Sequence, residues 1–186
     1  MSITINWFVL YVRTASEESV LTTLKKRLAD DVYLPFIPRK VWPRVKKGIA
    51  EKEIKICFPG YVFIRSLKSV EDSIWELQTT INGINAAYYF LSYSNDKRDI
   101  VLRENERNFI ERLMNAEYCM DSSIGFIEGD YVKVVSGALA GIDSQIIKIN
   151  KQKRTAVIET DMFGTKRQIT LMLEVLDKTQ ILQDVK

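Results

Sequence analysis

The stretch Phe58-Pro-Gly-Tyr-Val-Phe-Ile64 predicts a turn that leads directly into a β-strand. Pro-Gly is a typical turn pair, and the aromatic and β-branched residues that follow it are favoured in strands. Because side chains alternate across a strand, Tyr61 and Phe63 lie on one face, and Val62 and Ile64 lie on the other. Both faces are apolar, although a sheet with helices on one side fully buries only one of them.

Residues 6–13 predict a second strand with the same property. Its odd-numbered residues, from Trp7 to Arg13, share one face, and its even-numbered residues share the other. Two interpretations are open. Either both aromatic rows belong to the core, or the row that carries tyrosine hydroxyls forms an open groove for a partner helix. Composition alone favours the core.

The rest of the first half alternates between helices and strands. The spacing of apolar residues predicts helices over residues 14–28, 69–81 and 102–114, and strands over 32–37 and 84–91. Thr14 and Glu17 predict a capping box at the start of the first helix. Residues 39–55 are basic and broken by Pro and Gly, which predicts a long hairpin or loop. The predicted fold class is α+β, with a mostly antiparallel sheet covered by helices.

Short strands separated by turn signals dominate the second half. They are predicted over residues 131–135, 145–149, 155–159 and 167–171. This spacing of about 10 residues is typical of a small β-barrel. We therefore predict an N-terminal α/β sandwich domain over residues 1–115, a flexible linker over 116–125, a C-terminal small β-barrel over 126–180 and a tail over 181–186.

The absence of histidine excludes several kinds of catalysis. The chain has 186 residues and no His, so Ser-His-Asp and Cys-His mechanisms are impossible. Cys57 and Cys119 form no CxxC pair, which disfavours a zinc site or disulfide scaffold and favours a reduced, cytoplasmic protein. We expect no enzymatic activity, no metal and no cofactor. The chain lacks a signal peptide and any apolar run near the ~20 residues that span a membrane, so no membrane partner is expected. We also expect a monomer.

Two basic segments stand out against a net charge of only +3. Residues 39–55 hold seven Lys or Arg against two Glu (+5), and residues 144–173 hold six against two acids (+4). The candidate nucleic-acid ligands are Arg39, Lys40, Arg44, Lys46 and Lys47 in the first segment, and Lys148, Lys151, Lys153, Arg154, Lys166 and Arg167 in the second. Cations bind phosphates, and the indole of Trp42 can stack on a base. Lysines also keep hairpins soluble, so both interpretations stay open.

Several motifs together resemble the NusG family of transcription elongation factors. Trp7-Phe-Val-Leu-Tyr-Val-Arg-Thr-Ala-Ser-Glu-Glu18, the stretch 58–64 and Ile81-Asn-Gly-Ile84 are similar to blocks of the family's N-terminal domain. Glu128-Gly-Asp-Tyr-Val-Lys-Val-Val-Ser-Gly-Ala-Leu-Ala-Gly141 is similar to the KOW motif that opens its C-terminal barrel. The motifs follow the family's order over nearly the whole chain. The resemblance therefore implies a NusG-type α/β sandwich followed by a KOW-type barrel.

The resemblance implies binding to RNA polymerase rather than catalysis. NusG-type N-terminal domains grip the coiled-coil clamp helices of the polymerase through an apolar depression on the sheet, and they disfavour its paused state. By motif match, Tyr11, Phe58, Tyr61 and Phe63 would line this depression, and Trp7 would lie in the core. Residues 39–55 would then lie in a part of the domain that can approach non-template DNA or upstream RNA.

The KOW segment departs from the family pattern. Thr165 replaces the Arg of a Phe-Gly-Arg turn, Ser144 and Ala138 stand where Gly and Pro are usual, and Arg167-Gln-Ile-Thr-Leu171 lacks the usual acid. These departures place Rho and ribosome docking in question. The opening strand and the 58–64 block resemble the LoaP subgroup. Its members are processive antiterminators whose KOW domain binds a structured leader RNA.

Three functions are compatible with these observations. The leading one is a polymerase-bound antitermination factor whose KOW domain binds structured RNA. The second is a housekeeping NusG factor whose KOW domain binds Rho or a ribosomal protein. The third is a KOW-type RNA-binding protein of the ribosome or of RNA processing, which leaves the 58–64 block unexplained. We also predict that residues 145–159 form strands rather than the helical hairpin of one family variant.

Overall fold

The computed structural model describes residues 5–96, 98–129 and 131–176. These residues cluster into two compact units that interleave along the chain. The first unit contains the described residues up to Pro38, Ile56–Asn108 and Met162–Thr165. The second unit contains Arg39–Lys55, Phe109–Asp161 and the described residues from Lys166 onward. The domain boundaries proposed from the sequence stay a prediction, and the expected tail at 181–186 lies outside the described residues.

The described residues form a mixed, strand-rich fold. The helices are α1 (Glu17–Arg27), α2 (Val70–Ile81) and α3 (Glu104–Leu113), and a short 3-10 helix spans Asp143–Gln145. The strands are β1 (Asn6–Val12), β2 (Tyr33–Phe36), β3 (Arg39–Lys46), β4 (Ile49–Ile56), β5 (Tyr61–Ser66), β6 (Ala87–Phe90), β7 (Cys119–Met120), β8 (Ser123–Glu128), β9 (Tyr131–Ser136), β10 (Ile146–Asn150), β11 (Thr155–Met162) and β12 (Thr165–Leu176). The predicted α+β class is confirmed.

The first unit is built on a four-stranded antiparallel sheet. Its strands follow the order β2-β5-β1-β6, and Tyr11 of β1 lies opposite Tyr61 of β5. The even-numbered apolar side chains of β1 pack into a closed core with Val62 of β5, Leu24 of α1 and Leu77 of α2. Each fully buried aliphatic side chain of this kind stabilises the fold by about 1.5–3 kcal/mol. Helices α1 and α2 therefore cover one face of the sheet, as the sequence predicts.

The predicted capping box at the start of α1 is wrong. The N-cap is Ser16 rather than Thr14, and its side chain makes no capping hydrogen bond. Glu17 is buried and accepts a hydrogen bond from the backbone N–H of Gly60, at 2.6 Å. A buried N–H without a partner costs about 1–3 kcal/mol. The carboxylate therefore stabilises the turn that leads into β5 instead of capping its own helix.

Residues 39–55 form the predicted hairpin, with β3 and β4 as its strands. Lys47 and Gly48 connect the strands with φ values of 51° and 79°. Positive φ at both central residues is what a two-residue type I′ turn requires. β3 also pairs in parallel with β7, where Arg39 lies opposite Cys119. This pairing places the hairpin in the second unit.

The second unit contains a five-stranded sheet in the order β10-β11-β12-β8-β9. Residues 145–159 are mostly in strands β10 and β11, as predicted. β8 was not predicted, and it begins inside the segment 116–125 that the sequence analysis assigns to a linker. Gly125 interrupts the run of strand-favouring residues that would otherwise predict β8. In the fold, a Cβ on Gly125 would lie 2.8 Å from the carbonyl oxygen of Lys133, so glycine permits the close pairing of β8 with β9.

Gly137 and Gly48 give a matched test of the packing in the second unit. Both have positive φ, at 85° and 79°. A Cβ on Gly137 would collide with the backbone of Ser122 and Ser123, whereas a Cβ on Gly48 meets no atom within 4 Å. We expect Gly48→Ala to cost about 1–2 kcal/mol for the left-handed backbone alone, and Gly137→Ala to cost clearly more because the backbone must also move. Chemical denaturation of both variants checks this, and equal losses would contradict the packing described.

Candidate functional site

Four tyrosine rings gather at one end of the sheet in the first unit. Tyr11 lies at the centre, and the ring centroids of Tyr61, Tyr88 and Tyr89 lie 5.6, 5.5 and 5.3 Å from its own. Tyr88 and Tyr89 are 51% and 57% exposed, and the other two rings are half-buried. We call these four residues the tyrosine surface. Tyrosine combines an apolar ring with a hydroxyl tip, which suits a surface that a protein partner covers.

Strand register brings the four tyrosines together. Tyr11 lies opposite Tyr61 on β5 and opposite Tyr89 on β6. The next residue, Val12, lies opposite Ala87, so Tyr88 is an extra residue in β6. A bulge of this kind redirects a side chain that would otherwise point to the opposite face. Tyr88 and Tyr89 were not predicted as site residues, because strict alternation places adjacent residues of a strand on opposite faces. The only signal for them in the sequence is the Tyr-Tyr pair itself.

Phe58 and Phe63, which the sequence analysis places with Tyr11 and Tyr61, lie in a buried cluster. Phe63 has no exposed surface, and its ring centroid lies 5.6 Å from that of Phe58, 5.6 Å from that of Phe36 and 6.3 Å from that of Trp7. Phe58 is also buried. Both therefore differ from the expectation of an open, lined depression, because Phe36 of β2 and Trp7 of β1 occupy the same face. The two phenylalanines therefore belong to a core cluster with Phe36 and Trp7.

The five basic candidates of the hairpin differ in their surroundings. The Lys40 ammonium donates a hydrogen bond to the carbonyl of Thr170 at 2.8 Å and lies 4.7 Å from the ring centroid of Trp42. Arg44 forms an ion pair of 3.5 Å with Glu53. Arg39 is half-buried at the base of β3, whereas Lys46 and Lys47 are exposed at its far end. The hairpin therefore presents its basic groups along its whole length rather than at one point.

The six basic candidates of the second sheet do not form one patch. Lys148, Lys151, Lys153 and Arg154 lie on or beside the turn between β10 and β11, whereas Lys166 and Arg167 lie at the start of β12. The eight residues of β11 separate the two groups, a length of roughly 25 Å at about 3.3 Å per residue. Two members already have ion pairs, Arg154 with Glu174 at 3.4 Å and Lys166 with Glu159 at 2.6 Å. The Glu159 carboxylate raises the pKa of Lys166.

The second sheet also carries an apolar groove that sequence analysis missed. Its volume is about 410 Å³. Ile127, Tyr131 and Ile147 contribute exposed apolar surface to it, and Lys148 and Lys151 line it as well. Three large apolar side chains that are accessible in one place are a feature of protein-binding surfaces. The alternation of side chains along β10 indicates this groove only weakly, because one face of any such strand is expected to be exposed to solvent.

Within the described part of the chain, no group of three or more His, Cys, Asp or Glu residues is arranged to hold a metal ion. None of the described helices combines the length and the apolar character that crossing a bilayer requires. The features that remain are an aromatic surface, a basic hairpin and a groove on a strand-rich unit.

Comparison with known proteins gives the family. Residues 5–111 match the family described as "Transcription termination factor nusG", and this match covers more than half of the chain. The chain therefore belongs to the NusG family. The "Transcription termination/antitermination protein NusG" of Thermus thermophilus is 26% identical over 177 residues, which is 90% of this chain and 95% of the relative. The protein of the same name from Halalkalibacterium halodurans is 25% identical over 178 residues, which is 93% of this chain and 98% of the relative.

A solved structure described as "Domain interaction in Thermotoga maritima NusG" is also similar. It shares 17% sequence identity with this chain at a TM-score of 0.46, and the similarity covers 91% of this chain and 94% of that one. The family assignment rests on the sequence match over residues 5–111 and does not depend on this structure.

Proposed function

We propose that this chain is a transcription antitermination factor that binds the clamp helices of RNA polymerase through its tyrosine surface. The observation that carries the proposal is the clustering of Tyr61, Tyr88 and Tyr89 around Tyr11 on an exposed end of the sheet. Rigid aromatic rings that are already packed together lose little conformational freedom when a partner helix covers them. Membership of the NusG family supports transcription as the process.

Binding of the full chain to purified RNA polymerase core enzyme tests this proposal. The wild-type protein should bind, and Tyr61→Ala should weaken binding strongly. Loss of binding supports both polymerase-bound functions. Unchanged binding of Tyr61→Ala would contradict docking at the tyrosine surface. A wild-type chain that does not bind the polymerase would instead favour a KOW-type RNA-binding protein of the ribosome or of RNA processing, for which the tyrosine surface has no role.

The finer proposal is LoaP-like, with a structured leader RNA bound by the second sheet. Lys148 and Lys151 support it, because both are exposed beside the turn between β10 and β11 and neither forms an ion pair with a described residue. An A-form helix has a major groove that side chains hardly enter, so contacts to phosphates and to RNA shape would dominate. Lys166 and Arg167 would need to contact a separate part of the RNA.

We expect the full chain to bind a hairpin RNA with an affinity that falls steeply with salt. Each phosphate contact contributes roughly −0.7 to −0.9 to the slope of log K against log salt concentration. The double variant Lys148→Gln/Lys151→Gln should therefore reduce the slope by about 1.4–1.8. The variant Lys25→Gln/Lys26→Gln on α1 removes the same charge from exposed positions of the first unit and is the control. Identical slopes for both double variants would contradict RNA binding at the second sheet.

A housekeeping role is the second candidate, and the apolar groove of the second sheet favours it. Exposed Ile127, Tyr131 and Ile147 suit a protein partner such as Rho or a ribosomal protein better than they suit RNA. Pull-down with the full chain distinguishes the two. Recovery of Rho or a ribosomal protein that persists after nuclease treatment and is lost in Ile147→Ser supports the housekeeping role.

A further inference from the structure

The two basic segments share one open groove in the second unit. The groove has a volume of about 700 Å³ and lies between the β3–β4 hairpin and the turn that joins β10 to β11. Residues of the hairpin, of the turn and of β12 line it. The lining side chains that can contact a base or a phosphate are Trp42, Arg44 and Lys52 from the hairpin, Lys153 and Arg154 from the turn, and Thr170 from β12. We call it the composite groove. It joins residues that are about 100 positions apart in the sequence.

Hydrogen bonds hold the hairpin in place beside the groove. The Lys40 ammonium donates to the carbonyl of Thr170 on β12 at 2.8 Å. The Lys52 ammonium donates to Oγ of Ser122, just ahead of β8, at 2.9 Å. The parallel pairing of β3 with β7 fixes the base of the hairpin. The groove is therefore built by several independent contacts within the second unit.

The groove is positively charged, and its cations are accessible. Arg44, Lys52, Lys153 and Arg154 give four positive charges against two negative charges from Glu51 and Glu174, a net charge of +2. Lys153 forms no ion pair with a described residue, and its side chain is exposed. The Arg44–Glu53 and Arg154–Glu174 pairs are partly exposed at 3.5 and 3.4 Å. Such pairs contribute at most about 1 kcal/mol, so a phosphate can replace the carboxylate.

Trp42 adds a stacking surface to these cations. Its side chain is half-buried and lines the groove, and the ammonium groups of Lys40 and Lys55 lie over its ring, 4.7 and 5.6 Å from the ring centroid. Proteins bind single-stranded nucleic acids with an aromatic ring and neighbouring cations, because the ring stacks on a base while the cations contact the phosphates. A paired base inside a duplex has no free face for such stacking.

We propose that the composite groove binds a single-stranded segment of nucleic acid, with a base stacked on Trp42 and the adjoining phosphates on Lys153 and Arg44. This deepens the proposed function, since it adds a site for an unpaired segment to the expected contacts with structured RNA. The groove chemistry is common to RNA and DNA, and the experiment therefore includes both.

Fluorescence anisotropy of labelled oligonucleotides with the full chain tests the proposal. The probes are a ten-nucleotide single-stranded RNA, the DNA of the same sequence and a blunt duplex of the same length. We expect at least one single strand to bind more tightly than the duplex. Trp42→Ala should weaken that binding by roughly tenfold, as expected for the loss of one stacked base. Trp75→Ala removes an exposed tryptophan from the first unit and should leave the affinity unchanged.

Two further variants keep the test independent of folding. Trp42→Phe retains an aromatic ring and should restore most of the affinity that Trp42→Ala loses. Lys153→Gln lies on an exposed turn and should reduce the salt slope by about 0.7, the value for one phosphate on a single strand. Wild-type affinity in Trp42→Ala, or an unchanged salt slope in Lys153→Gln, would overturn the proposal.

The same assay separates failure of this site from failure of the proposed function. Tyr61→Ala changes the tyrosine surface only, so it should bind the oligonucleotides like the wild type while it loses the polymerase. A chain that binds polymerase and hairpin RNA but prefers no single strand over duplex would overturn the groove and leave the proposed function intact. Tighter binding of RNA than of DNA would support the groove and indicate contacts to the 2′-hydroxyl.

Discussion

Tyr61→Ala is expected to weaken the binding of this chain to RNA polymerase by roughly 30- to 1,000-fold, which corresponds to a loss of about 2–4 kcal/mol at a central aromatic contact. Tyr61 is half-buried, and its ring is held 5.6 Å from the ring of Tyr11. A ring in this position is pre-ordered before the partner arrives, and its removal also takes away one of the three tyrosine neighbours of Tyr11. Surface plasmon resonance with immobilised core enzyme measures the change.

Two controls give this result its meaning. Trp75→Ala removes a larger aromatic side chain that is 73% exposed on α2, and it should leave polymerase binding within about twofold, as expected for a residue outside the contact. The thermal midpoint of Tyr61→Ala should stay close to that of the wild type, because the ring is only half-buried. Polymerase binding that survives in the double variant Tyr11→Ala/Tyr61→Ala would contradict docking at the tyrosine surface.

Phe63→Ala is expected to produce the largest loss of stability, about 3–5 kcal/mol in the free energy of unfolding. Phe63 has no exposed surface and touches the rings of Trp7, Phe36 and Phe58, so its removal leaves a cavity that rigid aromatic neighbours cannot fill. For a chain of this size, the loss corresponds to a fall of roughly 6–20 °C in Tm. Thermal unfolding followed by circular dichroism measures it.

Leu67→Ala is the matched control for Phe63→Ala. Leu67 follows directly after β5 and is 49% exposed, so its replacement should change stability by only about 0.5 kcal/mol. Similar losses for the two variants would show that the aromatic cluster is not a closed core. The comparison also explains why Tyr61 rather than Phe63 is the informative position for polymerase binding, since loss of binding in Phe63→Ala could reflect unfolding.

The sequence predicts those parts of the fold where local pattern and burial agree. The strands around Tyr11 and Tyr61 and the basic hairpin at 39–55 were all predicted and are present. β8 was not predicted because Gly125 interrupts its run of strand-favouring residues. In the fold, the missing side chain of this glycine permits close pairing of β8 with β9. The predicted capping box is absent because the Glu17 carboxylate instead accepts a hydrogen bond from the backbone of Gly60, which lies 43 residues further along the chain.

The candidate surfaces were only partly predictable from the sequence. Tyr11 and Tyr61 were identified by motif, but Tyr88 joins them through a shift in strand register that no local pattern contains. The two basic segments were identified separately, and their common groove depends on long-range contacts of the hairpin with β7, with Ser122 and with Thr170. Contacts between distant parts of the chain decide both features, and a single sequence does not specify such contacts directly.

The hydrogen bond between Glu17 and Gly60 connects the interior of the first unit to the tyrosine surface. Glu17 holds the N–H of Gly60 at 2.6 Å, and the carbonyl of Gly60 accepts a hydrogen bond from Val12 at 2.8 Å. The turn that carries Tyr61 is thereby fastened between α1 and the strand that carries Tyr11. We expect a substitution at the buried Glu17 to shift Tyr61 relative to Tyr11, although Glu17 is not part of the tyrosine surface. We therefore expect the affinity for a partner to depend on this buried position as well as on the tyrosine surface itself.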